Sequence, residues 1–191
     1  TFIQIGGNDG YKNDPIFKFV KRYRWKGIIV EPQKLVFKQR LKKTYRKEKQ
    51  VQLENVAIAD KNEIRKLYKL SFSNSNWATA LASFEKDVLL SHFKRDFIQA
   101  RARREGAKIP ESMDDSITFE NVECITLGAL AKRHGIKDLN LLQIDAEGYD
   151  FEIIKTINFK ESFCFTELPF RIQSRTMGGQ FSAHIWRSIT A

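Results

Sequence analysis

One repeated pattern constrains this chain more than any other feature. A short run apolar on both faces stops at glycine or at a carboxylate, and a helical pattern follows. Phe2-Ile3-Gln4-Ile5 stops at Gly6-Gly7, Gly27-Ile28-Ile29-Val30 stops at Glu31-Pro32, and Leu139 to Ile144 stops at Asp145-Ala146-Glu147-Gly148. Strands apolar on both faces need cover on both sides. Alternation with helices therefore predicts an α/β fold with a doubly wound, mostly parallel sheet. Ligands of such sheets bind outside the carboxyl ends of the strands. The residues that end the runs, Gly6 to Gly10, Glu31, Asp145 with Glu147, and Glu167, are thus the candidates for function.

The remaining segments fill in the order. Asp14-Pro15 predicts a helix start, because Asp accepts from free N–H groups and Pro suits a first turn. Residues 33–47 predict a basic helix and 51–59 a third strand. Ile64 to Phe72 predicts a strand, followed by a Ser/Asn-rich loop. Residues 84–105 predict a helix and 106–116 a loop, so that 84–116 forms a helical insertion over the strand ends. Phe119 to Ile125 predicts a strand, Thr126 caps a short helix ending at Gly135, Tyr149 to Asn158 predicts a helix, and Phe163 to Glu167 a fifth core strand. From Leu168 to Ala191 the pattern weakens and does not show the strand pair that normally completes such a sheet, so an atypical or truncated C-terminal end is expected. Length allows one domain over 1–191.

At 42% apolar and 29% charged residues, with 15 Phe and 4 Pro, disordered and low-complexity classes are excluded. No run approaches the ~20 apolar residues of a membrane span. Cys124 and Cys164 cannot build a disulfide framework or a four-Cys zinc site. Two buried thiols in a reducing compartment, hence a cytoplasmic protein, is the expectation. No secretory signal opens the chain; Thr1 stands where an initiator Met would, as in a trimmed chain. Lys and Arg outnumber Asp and Glu 33 to 23, concentrated between Lys38 and Lys49 and between Lys94 and Lys108. Such clusters fit either anionic partners or a solvated helix face.

Gly6-Gly7-Asn8-Asp9-Gly10 is a turn that lets a ligand lie on the backbone. Glu31 ends the next strand, about 20 residues on, where a carboxylate accepts both hydroxyls of a ribose. The dinucleotide fingerprint fails at Asn8 and Tyr11, and no P-loop Gly-Lys-Ser/Thr follows. Asp9 would repel a pyrophosphate and suit a cation, which favours S-adenosylmethionine, with its adenosine, ammonium and sulfonium. Asp145 and Glu147 could serve as general base, as ligands of a divalent metal, or as anchors for substrate hydroxyls, while Glu147 and Asp150 could simply cap the next helix. His92, His134 and His184 show no metal-binding spacing, and no Gly-x-Ser-x-Gly elbow is present.

Taken together, Phe2 to Gly10, Asp14-Pro15, Val30-Glu31-Pro32, Asn55-Val56-Ala57 with Asp60, Thr126-Leu127, and Leu142 to Asp150 resemble the FkbM-type family of S-adenosylmethionine-dependent methyltransferases. The resemblance spans roughly residues 2–167, and Ile144-Asp-Ala-Glu-Gly-Tyr-Asp150 is its most specific piece. It implies a class I, Rossmann-like methyltransferase fold and O-methylation of hydroxyls on sugars, glycans or natural products. It also implies that Gly6, Gly7, Asn8, Asp9 and Gly10 line the cofactor's amino-acid end, Glu31 with Pro32 its ribose, and Asn55 and Ala57 its adenine. Asp145 would stand near the sulfonium. The expected partner is a small-molecule or glycan hydroxyl, anionic if the basic clusters reach it. Two rival readings remain. One is a nucleic-acid methyltransferase, which the basic clusters favour and the tip Asp145-Ala146-Glu147-Gly148 disfavours. The other is a non-catalytic module of the same fold that docks an anionic partner.

Overall fold

The side chains of β1 (Phe2–Ile5) and β2 (Gly27–Val30) alternate between two cores. Phe2 and Ile29 point to one face, where they pack with Val20, Phe37, Leu41 and Tyr45. Ile3, Ile5, Ile28 and Val30 point to the other, against Leu127, Leu130, Leu142 and Ile153. Each face carries helices, as a doubly wound sheet requires. The structure, a computed structural model, describes residues 1–157 and the backbone of the strands Ser174–Thr176 and Gly179–Phe181.

The element order begins β1, α1 (Phe17–Tyr23), β2, then a helical run of α2 (Lys34–Val36), a π-helical turn (Phe37–Leu41) and α3 (Lys42–Thr44). β3 (Val51–Glu54), β4 (Ala57–Ile58) and β5 (Glu63–Leu70) follow. Then come α4 (Asn76–Thr79), α5 (Lys86–Lys94), α6 (Phe97–Glu105) and α7 (Met113–Ser116). β6 (Ile117–Ile125), α8 (Leu127–Arg133), β7 (Leu141–Ile144) and α9 (Asp150–Lys155) come next, followed by β8 (Ser174–Thr176) and β9 (Gly179–Phe181).

The central sheet has the order β3-β2-β1-β7 and is parallel throughout, with Ile5 opposite both Val30 and Ile144. The tips of β1, β2 and β7 therefore end level with one another. A second sheet, β4-β6-β5, pairs β4 parallel and β5 antiparallel to β6. It joins the first through a shared core of Ala57, Ile58, Leu67, Val122 and Ile125. The segment between β5 and β6 has its own core of Leu70, Leu81, Leu89, Phe93, Ile98 and Ile117.

Several sequence expectations need correction. The strand over 51–59 is broken at Asn55-Val56 into β3 and β4, which belong to different sheets. The helix over 84–105 is broken at Asp96, whose φ of 54° is left-handed, and α7 sits inside the expected loop 106–116. Residues 33–47 are helical only over 34–44 and include the π turn. In the tail, β8 and β9 pair antiparallel as a two-stranded sheet of their own and do not join the central sheet. The fifth strand expected at Phe163–Glu167, together with Glu167, Cys164 and His184, lies outside the described residues. Both helix-start signals are present. Asp14 Oδ1 accepts from the N–H of Ile16 (2.9 Å) and Phe17 (2.7 Å), and Thr126 Oγ1 accepts from Ala129. Among the described residues no helix is long and apolar enough to cross a membrane.

Candidate active site

The level tips of β1, β2 and β7 open into one cleft of about 610 Å³, a size that suits a cofactor with its substrate. Gly6, Gly7, Asn8, Asp9, Glu31, Pro32, Ala57, Asp145 and Glu147 all line it.

The turn after β1 is held from several sides. Gly6 has φ +81°, and a Cβ there would lie 1.9 Å from the Asp145 carbonyl oxygen, so only glycine lets the β1 and β7 tips meet. The Asp145 N–H donates to Ile5 O at 3.0 Å across the same junction. Asp9 Oδ1 accepts from the N–H of Tyr11 and Lys12, and Asp9 Oδ2 accepts from Asn76 Nδ2. Its carboxylate thus braces the turn and ties it to α4. Gly10 packs away from the cleft, where a Cβ would strike Leu41 and Tyr45.

Glu31 is buried. Its Oε2 accepts from the N–H of Asn8 and its Oε1 from the N–H of Gln33, each at 2.8 Å. Burial pushes its carboxyl up to about 7, against the opposite pull of those two N–H groups. Each carboxylate oxygen can accept a second hydrogen bond, and two acceptors side by side are what a ribose diol, a pair of donors, needs. Asn55 does not line the cleft. Its Nδ2 donates to the carbonyls of Glu31 (2.8 Å) and Pro32 (2.9 Å), so it sets the backbone that presents Glu31.

At the β7 tip, Glu147 has φ 41° and Gly148 φ 94°, so the chain reverses sharply before α9. Ser83 Oγ donates to Glu147 O at 2.9 Å, and Asp150 Oδ1 accepts from the N–H of Ala146 at 2.6 Å. Asp150 is therefore spent on shaping the loop that carries Asp145 and Glu147. Among the described residues no group of three or more His, Cys, Asp or Glu gathers where a metal ion could sit, and the pair Asp145–Glu147 acquires no third ligand.

Sequence reasoning missed the wall opposite the sheet. Ser75, Asn76, Trp77, Thr79 and Ala80 line the cleft from α4 and its approach. Gln33 Nε2 donates to Thr79 O at 2.8 Å, and Arg40 of the π turn donates to Thr79 Oγ1 at 3.2 Å and to Asn74 O. The lone Trp in a Ser/Asn-rich stretch was the available signal. From the insertion, Phe84, Phe97, Arg101 and Glu105 also reach the cleft, with the Arg101 guanidinium 5.5 Å from the Phe97 ring centroid. Leu89 and Phe93 of the same insertion do not line the cleft; they fill the insertion's own core. His92 is buried beside Phe97, and burial holds its imidazole below the ordinary range. His134 bonds Glu54 at 2.7 Å, at the end of β3. Burial pushes the Cys124 thiol up to about 11, so it is no nucleophile.

The residues fit an adenosine-bearing cofactor with an amino-acid end: a buried acid at the second strand tip and a glycine turn. No curated protein and no solved structure matches the chain. A family model described as the Methyltransferase FkbM domain matches residues 4–186, from the strand that carries the glycine turn to beyond β9. A match of that extent, over a sheet whose β1, β2 and β7 tips converge on one cleft, makes this chain a member of the FkbM methyltransferase family.

Proposed function

We propose that the chain transfers a methyl group from S-adenosylmethionine to a hydroxyl, most naturally that of a sugar, glycan or natural product. The observation that carries this reading is Glu31, a buried carboxylate at a strand tip, with the glycine turn on one side and Asp145 across the same cleft. The cofactor supplies a methyl group already activated on a sulfonium. What remains for the chain is to bind, to align and to take a proton. Glu31 would accept the ribose hydroxyls, and Ala57 would flank the base. Asp145, next to the glycine turn, would complement the positive charge and accept the hydroxyl proton, with Glu147 as the second candidate base. Trp77 and Phe97 would give the acceptor apolar wall, and Arg101 would hold an anionic one. The walls from α4 and α6 would exclude water from the reacting atoms.

A cytoplasmic setting goes with this reading, since Cys124 is a free and buried thiol. The test is methyl transfer from labelled S-adenosylmethionine to a panel of hydroxylated sugars and small natural products. Incorporation by the wild type that is lost in Asp145→Asn supports the reading. Calorimetry showing no binding of S-adenosylhomocysteine to the folded protein would defeat it.

A further inference from the structure

The chain's positive charge is not spread over its surface. Residues 17–50 hold 13 of the 33 Lys and Arg and 2 of the 23 Asp and Glu, which leaves 20 cations against 21 acids in all the rest. The two acids do not offset the cations at the surface. Glu31 is buried at the cleft, and Glu48 is buried with Lys21 Nζ and Arg24 Nη1 each at 2.7 Å. The fold gathers this stretch into one layer. α1 and the helical run 34–44 cover the same face of the central sheet, where Val20, Phe37 and Leu41 turn inward onto Phe2 and Ile29. The outer side carries the cations, and all but Lys21 and Arg40 are exposed.

Three large aromatics stand in this basic layer. Phe19, Tyr23 and Trp25 are 46, 55 and 36% exposed, and none of them belongs to the hydrophobic cores. Phe19 lies nearly parallel to both of the others, with ring centroids 6.3 Å from Tyr23 and 5.5 Å from Trp25. Arg24 has a φ of 55°, a left-handed helix end that glycine usually takes, and there the chain turns so that Trp25 comes back beside Phe19. Contiguous exposed apolar surface of this kind marks a docking site.

The rings also narrow the choice of partner. A nucleobase stacks on a free aromatic face. Here Phe19 is already paired with two rings, and Tyr23 carries both Phe19 and the Arg22 guanidinium, 5.4 Å from its centroid. What remains is a compact apolar knob with Lys18, Arg22, Arg24 and Lys26 exposed around it. Trp and Tyr settle at the depth of lipid headgroups, and Lys and Arg beside them attract anionic lipid. We propose that this face docks the protein on an anionic membrane surface. Phe19, Tyr23 and Trp25 enter the headgroup layer, and the outer cations of α1 and of residues 34–49 lie on the lipid phosphates. The cleft stays open in this pose, because Lys12, Asn13 and Pro15 line it before the start of α1, whereas Tyr23 and Trp25 stand at the far end of that helix.

The test is co-sedimentation of the full chain with vesicles of phosphatidylcholine alone and with about a third phosphatidylserine, at about 0.15 M salt. Capture by the anionic vesicles should be at least about tenfold stronger than by the neutral ones. Phe19→Ser with Tyr23→Ser should weaken it by about tenfold. Lys38→Gln with Lys42→Gln and Lys43→Gln should weaken it by about a hundredfold. All five positions are exposed, and an unchanged thermal unfolding midpoint checks the fold. Trp25→Ser repeats the aromatic test should the first pair lower that midpoint. A folded wild type that stays in solution beside anionic vesicles would overturn the proposal. Capture that the aromatic variants leave unchanged would overturn it too, since charge alone would then account for binding. Binding of a single-stranded oligonucleotide instead of vesicles, lost in the same variants, would give the face to nucleic acid.

Discussion

The cleft has two kinds of wall. On one side stand the tips of β1, β2 and β7, where three parallel strands in register end level and deliver Gly6, Glu31 and Asp145 to one rim. On the other stands the segment between β5 and β6, with its own core and with Trp77, Phe97 and Arg101 facing the cleft. In the first wall position follows from topology. A residue after the last apolar position of a parallel strand must emerge at the carboxyl rim, whatever the rest of the chain does. In the second wall position follows from docking: Asn76 on Asp9, Gln33 and Arg40 on Thr79. The comparison suggests a division of labour, with the strand tips serving cofactor and chemistry and the docked segment serving the acceptor.

The largest expected effect comes from breaking the first wall at its joint. Gly6→Ala puts a methyl group 1.9 Å from the Asp145 carbonyl oxygen at a φ of +81°. It should cost about 3 kcal/mol or more, read as a fall in the thermal unfolding midpoint. A variant as stable as the wild type would mean the two tips do not meet as described.

Next comes Asp145→Asn, which keeps shape and removes charge and basicity. Transfer should slow by at least about 10²-fold, with thermal stability nearly unchanged. Glu147→Gln, measured beside it, assigns the base: a matching loss of rate places the proton on Glu147, whereas normal turnover leaves it on Asp145.

Glu31 sharpens the cofactor half of the comparison. Glu31→Ala should weaken S-adenosylhomocysteine binding by about 1.5–3 kcal/mol. The pH dependence has a definite sign. In the unfolded chain this carboxyl titrates near 4.5, and in the folded protein near 7. Between those values the folded state holds the extra proton, so Glu31 makes stability fall as pH rises. A ribose diol donates to the charged form. Cofactor affinity should therefore rise by about tenfold from about pH 6 to about pH 8, with release of a proton, and Glu31→Gln should flatten that slope. A flat wild-type profile would place the ribose elsewhere.

The smallest effect belongs to the docked wall. Arg101→Ala should raise the KM for an anionic acceptor by up to about tenfold and leave S-adenosylhomocysteine affinity unchanged. A loss of cofactor affinity would erase the proposed division between the two walls.

What the sequence determined by itself was whatever depends on nearest neighbours along the chain. Residues apolar on both faces demanded a covered parallel strand, so the strands around Ile3, Ile29 and Leu142 and the carboxylates beyond them were legible. So were the helix-start signals at Asp14 and Thr126, because each side chain accepts from N–H groups only two or three residues away. The tertiary structure alone decided that Asn55 holds the Glu31–Pro32 backbone instead of facing the cleft, and that Gly10 packs on Leu41 and Tyr45. It alone brought Trp77, Phe97 and Arg101 to the rim. It also paired Gln4 with Asp14, ten positions apart in the chain and 2.8 Å apart in space. The physical reason is the range of the forces: periodicity and capping are local and leave a trace in the sequence, whereas a hydrogen bond between distant segments exists only once the core has fixed how they pack.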